Sequence, residues 1–250
     1  MKNILVIGDS CNDVFTYCKA LRLAPDVPVP VLNVVSSSYN PGMAANVCRN
    51  IQALNGSCDL ITNQNWEKIT KTRFVDEKSN HHFMRVDCQP DIITPLDLSS
   101  VDFSQYSLVA ISDYNKGFLT EDSIKFICEN HDNVFIDTKK PVSIFANKAK
   151  FIKINDFEYQ SSLPFLTPFL MSKIIRTTGS EGCVFNEVVY PVDKVEVKDV
   201  SGAGDAFFAA LVYDYSINKD INSAIKFANT CASEVVKHRG VTTINKPINV

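Results

Sequence analysis

The residues best suited to chemistry in this chain are Asp199-Val200-Ser201-Gly202-Ala203-Gly204-Asp205, followed at once by the apolar run Ala206 to Val212. The pattern predicts a strand end running into a tight Gly-x-Gly turn that opens a helix with a carboxylate in its first turn. Backbone N–H groups at such a turn lack intrahelical partners, and with the helix dipole they attract an anion such as phosphate. Asp205 would then stand beside the anion, placed to take a proton from an attacking hydroxyl. The plainer alternative is that Ser201 caps the helix and Asp205 only favours its positive end, worth ~0.3–1 kcal/mol.

The other polar clusters repeat one arrangement, each following an apolar run. Gly8-Asp9 ends a strand over residues 2–8, with Asn12-Asp13 just beyond, read either as a carboxylate at a strand's carboxyl end or as a turn-forming pair. Ser112-Asp113-Tyr114-Asn115-Lys116-Gly117 follows Leu108 to Ile111, and Asp137-Thr138-Lys139-Lys140 follows Val134 to Ile136. Asn155-Asp156-Phe157-Glu158 follows Phe151 to Ile154, and Thr177 to Gly182 follows Lys173 to Arg176. Polar motifs at successive strand ends are the signature of a composite ligand site.

The elements that must position these groups alternate from residue 107 onward. Strands alternate with helices over 121–130 and, at the end, about 221–237, with a short Cys183–Tyr190 hairpin before the Asp199 stretch. This implies a mostly parallel sheet covered on both faces. The first part of the chain differs. Pro25, Pro28 and Pro30 precede an apolar strand from Val31 to Val35, which predicts an exposed edge or flap. Asn40 to Asn46 turns into a helix reaching about Leu54. Gly42, Ala44 and Ala45 permit close approach of a ligand or another backbone, and Asn46 offers a donor and an acceptor. A strand over 59–62 follows, then a hairpin over 70–76 and 81–87. Only nine glycines occur in 250 residues, about half the usual share of roughly 7%, so glycine should stand where nothing else fits.

Composition excludes several classes. A net charge of −3 gives no reason to expect nucleic acid or an anionic membrane as a partner. The apolar run Ile4 to Ile7 is too short for a membrane span or signal peptide. The eight cysteines are scattered without a C-x-x-C pair, and the four histidines form no ligand pattern, which fits a reducing cytoplasm. There is no G-x-x-x-x-G-K-[ST] loop, and no G-x-G-x-x-G after the first strand. An anion cradle, a base and polar strand ends together are the parts that phosphoryl transfer requires.

On these motifs the sequence resembles the ribokinase/PfkB family of sugar kinases over nearly its whole length. Asp199–Asp205 is similar to the family's D-x-x-G-A-G-D signature, and Asn155–Glu158 to its N-x-x-E motif. Thr178–Gly182 resembles its nucleotide loop, and Pro41–Val47 its Gly-Gly sugar motif. Within the family, Gly8-Asp9, Arg22–Val31 and Ser112–Gly117 resemble the D-glycero-D-manno-heptose-7-phosphate kinases. The resemblance implies a ribokinase-like three-layer α/β fold. One kinase domain would span residues 1–250, carrying a small β lid formed by about 14–38 and 70–87.

The implied chemistry is ATP-dependent phosphorylation of a sugar-phosphate hydroxyl, with O1 of a heptose 7-phosphate as acceptor. Another sugar or nucleoside kinase, or an inactive sugar-phosphate binder, is the alternative. Asp205 would be the base, with a pKa lowered by the helix N-terminus, and Gly202, Ala203 and Gly204 the anion hole. Glu158 would hold Mg²⁺ through water. Asn155, Thr178, Gly179, Gly182, Asn229 and Lys139 would serve the nucleotide. Asp13, Gly42, Asn46 and Asp113 would serve the sugar, and Lys116 and Arg85 a phosphate already on it.

The sequence departs from the family in four places. Met43 stands where the sugar motif has its second glycine, which should narrow or re-aim the acceptor site. A strand–helix segment that heptose kinases carry is missing between Ile61 and Lys71, so the sheet should lose an edge unit or a partner chain should cover the gap. Asp137-Thr138-Lys139 replaces the family's Asp-Pro-Lys. The chain ends near Val250 without room for the nucleotidyltransferase domain that many relatives carry. The proline-rich edge at 25–35 is expected to form a homodimer.

Overall fold

Every residue of Ile4–Gly8 (β1) is buried, because this β-branched run is the inner strand of a large sheet. The computed structural model describes residues 3–89, 92–99 and 101–244. The expected strand start at Lys2 and the chain end at Val250 lie outside the described residues. After β1 come Ser10–Leu23 (β2), Pro30–Met43 (β3), Ala44–Ala53 (α1), Cys58–Thr62 (β4), Thr70–Asp76 (β5) and His82–Cys88 (β6). Then follow Leu108–Asp113 (β7), Glu121–Asn130 (α2), Val134–Thr138 (β8), Phe151–Asn155 (β9), Asp156–Ser162 (α3), Pro168–Met171 (α4) and Ile174–Thr177 (β10). The chain closes with Cys183–Phe185 (β11), Val188–Tyr190 (β12), Ala203–Asn218 (α5) and Ile221–Val235 (α6).

The larger sheet has the order β12-β11-β10-β9-β8-β7-β1-β4. It is parallel from β4 to β10, and β11 and β12 close it as antiparallel strands. Alternate residues face opposite sides. Ile4, Val6, Leu108, Ala110 and Phe135 join α1, α5 and α6 in one core cluster. Leu5, Ile7, Val109, Ile111, Ile136 and Ile152 join α2 in the other. Helix α5 is apolar on every side, with Ala206 to Val212 buried, because it lies in the first layer between the sheet, α1 and α6. This is the expected α/β fold with helices on both faces.

The second sheet, β3-β2-β5-β6, starts one residue after β1 and therefore stands over the carboxyl end of the large sheet. Its first two strands form a longer hairpin than expected, reaching from Ser10 to Met43. Its flank is exposed and apolar, with Leu21, Val34, Tyr39 and Met84 all more than half exposed. As the missing segment predicts, β4 is the last strand on its side of the large sheet, and a single short turn, Trp66–Lys68, leads to β5. The cysteines, scattered in sequence, are all free thiols, yet the fold brings Cys48 of α1 and Cys58 of β4 to 2.7 Å. Among the described residues no helix is long and apolar enough to cross a membrane.

Candidate active site

Helix α5 begins at Gly202, whose φ of 82° is left-handed and strained for any residue with a Cβ. No side chain caps it, so the alternative in which Ser201 serves as the cap is not the one the chain adopts. The turn is folded by Asp199 instead, which accepts from Ser201 N at 2.9 Å and from Gly240 N at 3.0 Å. Of the three residues expected to supply the anion hole, Ala203 already donates its N–H to Val200 O at 3.2 Å. The first-turn amides beyond it have no partner one turn back within the helix.

Asp205 is 5% exposed and faces the sheet end. Asn46 Nδ2 donates to its Oδ2 at 3.0 Å, and Tyr114 Oη donates to its Oδ1 at 2.7 Å. Burial raises its pKa above the ordinary value, and the two hydrogen bonds and the Lys153 charge only partly oppose this. The expectation that the helix terminus lowers it is therefore corrected. Desolvation of a wholly buried carboxylate outweighs a helix-end charge. The result is a carboxylate whose protonated form is favoured more than in an exposed aspartate.

Register explains what lies beneath it. Gly8, Ser112, Asp137 and Lys153 are successive neighbours across β1, β7, β8 and β9. All four point to the α5 side, because they keep the parity of Val6, Ala110, Phe135 and Phe151. A Cβ on Gly8 would fall 1.8 Å from Ser112 O, so only glycine permits this strand pairing. Lys153, 4% exposed, pairs with Asp137 Oδ2 at 2.8 Å. A Cβ on Gly204 would sit 3.4 Å from the same ammonium, so a fixed positive charge abuts the helix start. Ser112 Oγ and Asp137 Oδ1 in this row are buried without a hydrogen-bond partner.

The nucleotide-side candidates form a second group on neighbouring strand ends. Asn155 and Glu158 make a reciprocal capping box at the start of α3, with Glu158 N to Asn155 Oδ1 at 2.9 Å and Asn155 N to Glu158 Oε2 at 2.8 Å. Glu158 is buried, and its Oε1 takes Asn155 Nδ2 at 3.0 Å and the Lys139 ammonium. It is no ordinary surface helix residue. Burial works against the charge on Lys139, but Asp137 and Glu158 outweigh it and raise its pKa. The 178–182 loop closes through Thr178 N to Gly182 O at 2.8 Å, with Gly179 at φ 62° and open space around it. Asn229 on α6 donates to Tyr190 O at 2.9 Å, tying α6 to β12. Among the described residues no three carboxylate, histidine or cysteine groups cluster as a metal cage. The single buried carboxylate of Glu158 still fits Mg²⁺, which is commonly held by one or two carboxylates together with substrate phosphates and waters.

On the acceptor side, Asp13 is paired with Arg73 Nη1 at 2.6 Å. A Cβ on Gly42 would meet Asp13 Oδ2 at 2.3 Å, so Gly42 lets this carboxylate lie against β3. Arg85 forks onto Asp87 at 2.6 and 2.8 Å on the half-exposed face of β6. Arg85 above all, with Lys71 and Lys116, holds the Asp87 carboxyl below its ordinary value, so three cations share this corner. Asp113, expected at the sugar, has its carboxylate engaged within the protein. It keeps the parity of Ile111 and faces the α2 side, where Thr138 Oγ1 at 2.5 Å and Lys140 Nζ at 2.8 Å take its buried carboxylate. Met43, 2% exposed, is buried in the core cluster with Cys11 and Ile69 and does not protrude into the site.

Three groups escaped the sequence reading. Lys153 sits in a strand of buried apolar residues, and a lysine two positions before the Asn155 cap was the available signal. Tyr114 carries no sequence signal beyond its place in the Ser112–Gly117 motif. Asp9 is wholly buried, and it accepts Tyr114 N at 2.8 Å and Phe118 N at 3.3 Å, which sets the loop that carries Tyr114. Nothing in the local pattern separates Asp9 from an ordinary strand-ending turn.

The profile described as pfkB family carbohydrate kinase matches residues 97–249. The bifunctional protein HldE of Helicobacter pylori strain J99 is 30% identical, over 96% of this chain and 64% of its own length. The chain thus spans under two thirds of that relative. Ribokinase from Thermotoga maritima superposes with a TM-score of 0.74 at 16% identity, covering 96% of this chain and 94% of that one. Arabidopsis thaliana ribokinase complexed with ribose and ATP gives 0.67 at 12% identity, covering 96% and 94%. The shared fold is ribokinase-like.

Proposed function

The chain belongs to the pfkB family of carbohydrate kinases, phosphotransferases with an alcohol acceptor that use ATP, and from that premise we propose the acceptor and the residue roles. The acceptor is O1 of D-glycero-D-manno-heptose 7-phosphate. The likeness to HldE over 96% of the chain supports this choice, as do the three cations at the acceptor corner. The observation that carries the reading is the buried Asp205 carboxylate, held at the mouth of α5 beside the Lys153 ammonium.

Asp205 takes the proton from the acceptor hydroxyl as its oxygen attacks the transferring phosphoryl group. The α5 terminus, Gly202 and Gly204, with Lys153 behind them, holds negative charge on that group. Lys116, Lys71 and Arg85 meet the phosphate already on the sugar. Asp13, oriented by Arg73, and Asn46 and Gly42 border the sugar. Asn155, Lys139, the 178–182 loop and Asn229 border the nucleotide. Mg²⁺, held through Glu158 and water, would neutralise nucleotide phosphates when bound. Residues 1–250 act as one kinase unit, the second sheet serves as its lid, and the exposed apolar flank of that lid is its homodimer surface.

The test is ADP release from ATP against a panel of sugars and sugar phosphates, using the wild type and Asp205→Asn. Turnover on the heptose 7-phosphate should fall by about 10²–10⁴ in the variant. No turnover on any acceptor refutes the function. Turnover on unphosphorylated sugars alone removes the role given to Lys116, Lys71 and Arg85.

A further inference from the structure

Tyr114 is the one side chain that touches the Asp205 carboxylate from the loop after β7. Its hydroxyl donates to Oδ1 at 2.7 Å, while Asn46 reaches Oδ2 from α1 at 3.0 Å. An ionised carboxylate offers about four lone-pair positions, so these two donors fix its plane and leave places for an acceptor hydroxyl. The tyrosine is itself held at both ends. Asp9 at the end of β1 accepts its backbone N–H at 2.8 Å. Its ring lies under the ammonium of Lys71 from β5, 4.8 Å from the centroid, and of Lys139 beyond β8, at 5.3 Å.

We propose that Tyr114 is a positioning residue for phosphoryl transfer, holding the Asp205 carboxylate ionised and oriented for the incoming hydroxyl. The proposal rests on Asp205 being the base. A hydrogen bond to a carboxylate stabilises its charged form, and here it opposes the burial that favours the protonated one. The other charges around Asp205 come from several elements. Asp137 of β8 raises its pKa and Lys153 of β9 lowers it. Lys139, beyond β8, and the Cys11 thiol of β2 also lie within its field. None of these touches the carboxylate as Tyr114 and Asn46 do, so the tyrosine's hydroxyl can be removed while the surrounding charges stay in place.

Tyr114→Phe keeps the ring beside the two lysines and deletes the donor. The first measurement is a carboxyl ¹³C NMR titration of the full chain, with the Asp205 signal assigned by its loss in Asp205→Asn. The Asp205 pKa should rise by about one unit in Tyr114→Phe. The second is the pH profile of kcat/KM for the acceptor. Its acid limb should move up by the same amount, with KM for ATP unchanged. An Asp205 titration that does not move overturns the proposal, as does a lower plateau with an unmoved limb, which would mark Tyr114 as packing only. If the NMR shift appears while the wild type turns over no acceptor, the proposed function fails and the Tyr114–Asp205 coupling stands.

Discussion

Met43 offers a test in which backbone conformation and side-chain burial pull in opposite directions. Its φ of 60° and ψ of −131° lie in a region that glycine enters freely and other residues do not, yet its side chain is only 2% exposed. Truncating a buried methionine to alanine costs about 2–5 kcal/mol. Going on to glycine normally costs about 0.5–1 kcal/mol more, through the freedom the unfolded chain gains. Here alanine keeps the strain of the positive φ, worth about 1–3 kcal/mol, and glycine releases it. Both variants should be less stable than the wild type, but Met43→Gly should match or exceed Met43→Ala by up to about 2 kcal/mol. Urea unfolding of the three proteins, followed by far-UV circular dichroism, reads this directly from the midpoints. If Met43→Ala is the more stable by about 1 kcal/mol, as at an unstrained site, the reasoning is refuted. Because Met43 is the residue before α1, which carries Asn46, relaxing it should change KM for the acceptor more than KM for ATP.

Lys153→Met should destabilise the protein by about 3–5 kcal/mol, because it strands the buried Asp137 carboxylate. Lys153→Met/Asp137→Asn should recover most of that stability in urea unfolding yet stay impaired in turnover, and a fully active double variant would remove Lys153 from the site. Asp205 has a raised pKa in the folded chain, so its stabilising contribution is full below the ordinary carboxylate pKa and is lost as pH rises through the folded value. The stability advantage of Asp205→Asn over the wild type should therefore widen from pH 4 to pH 8, and unfolding midpoints with a constant or narrowing gap contradict the shift. The lid surface predicts a dimer at micromolar concentration by sedimentation, and a monomer that stays monomeric there would exclude it.

Local rules made much of this protein legible. Apolar runs ending in polar motifs marked the parallel strands, the prolines alternating with valines over 25–31 marked part of the second sheet, and Asp199–Asp205 marked the start of α5. The N-x-x-E spacing of Asn155 and Glu158 carried its own geometry, since a capping box is closed within four residues. What could not be read were properties set by neighbours distant in sequence. The direction of the Asp205 shift depends on total burial and on Asn46 and Tyr114, 159 and 91 residues away. Lys153 looked like an interior strand residue until β8 set Asp137 beside it. Asp113 ends its strand in the same kind of motif, but its strand parity turns it to the α2 side. Sequence alone thus determined which strand ends and helix starts carry the candidate polar groups, because turns and caps are short-range. Only the tertiary structure decided which side chains meet and how they are charged, because desolvation and pairing depend on everything packed around a group.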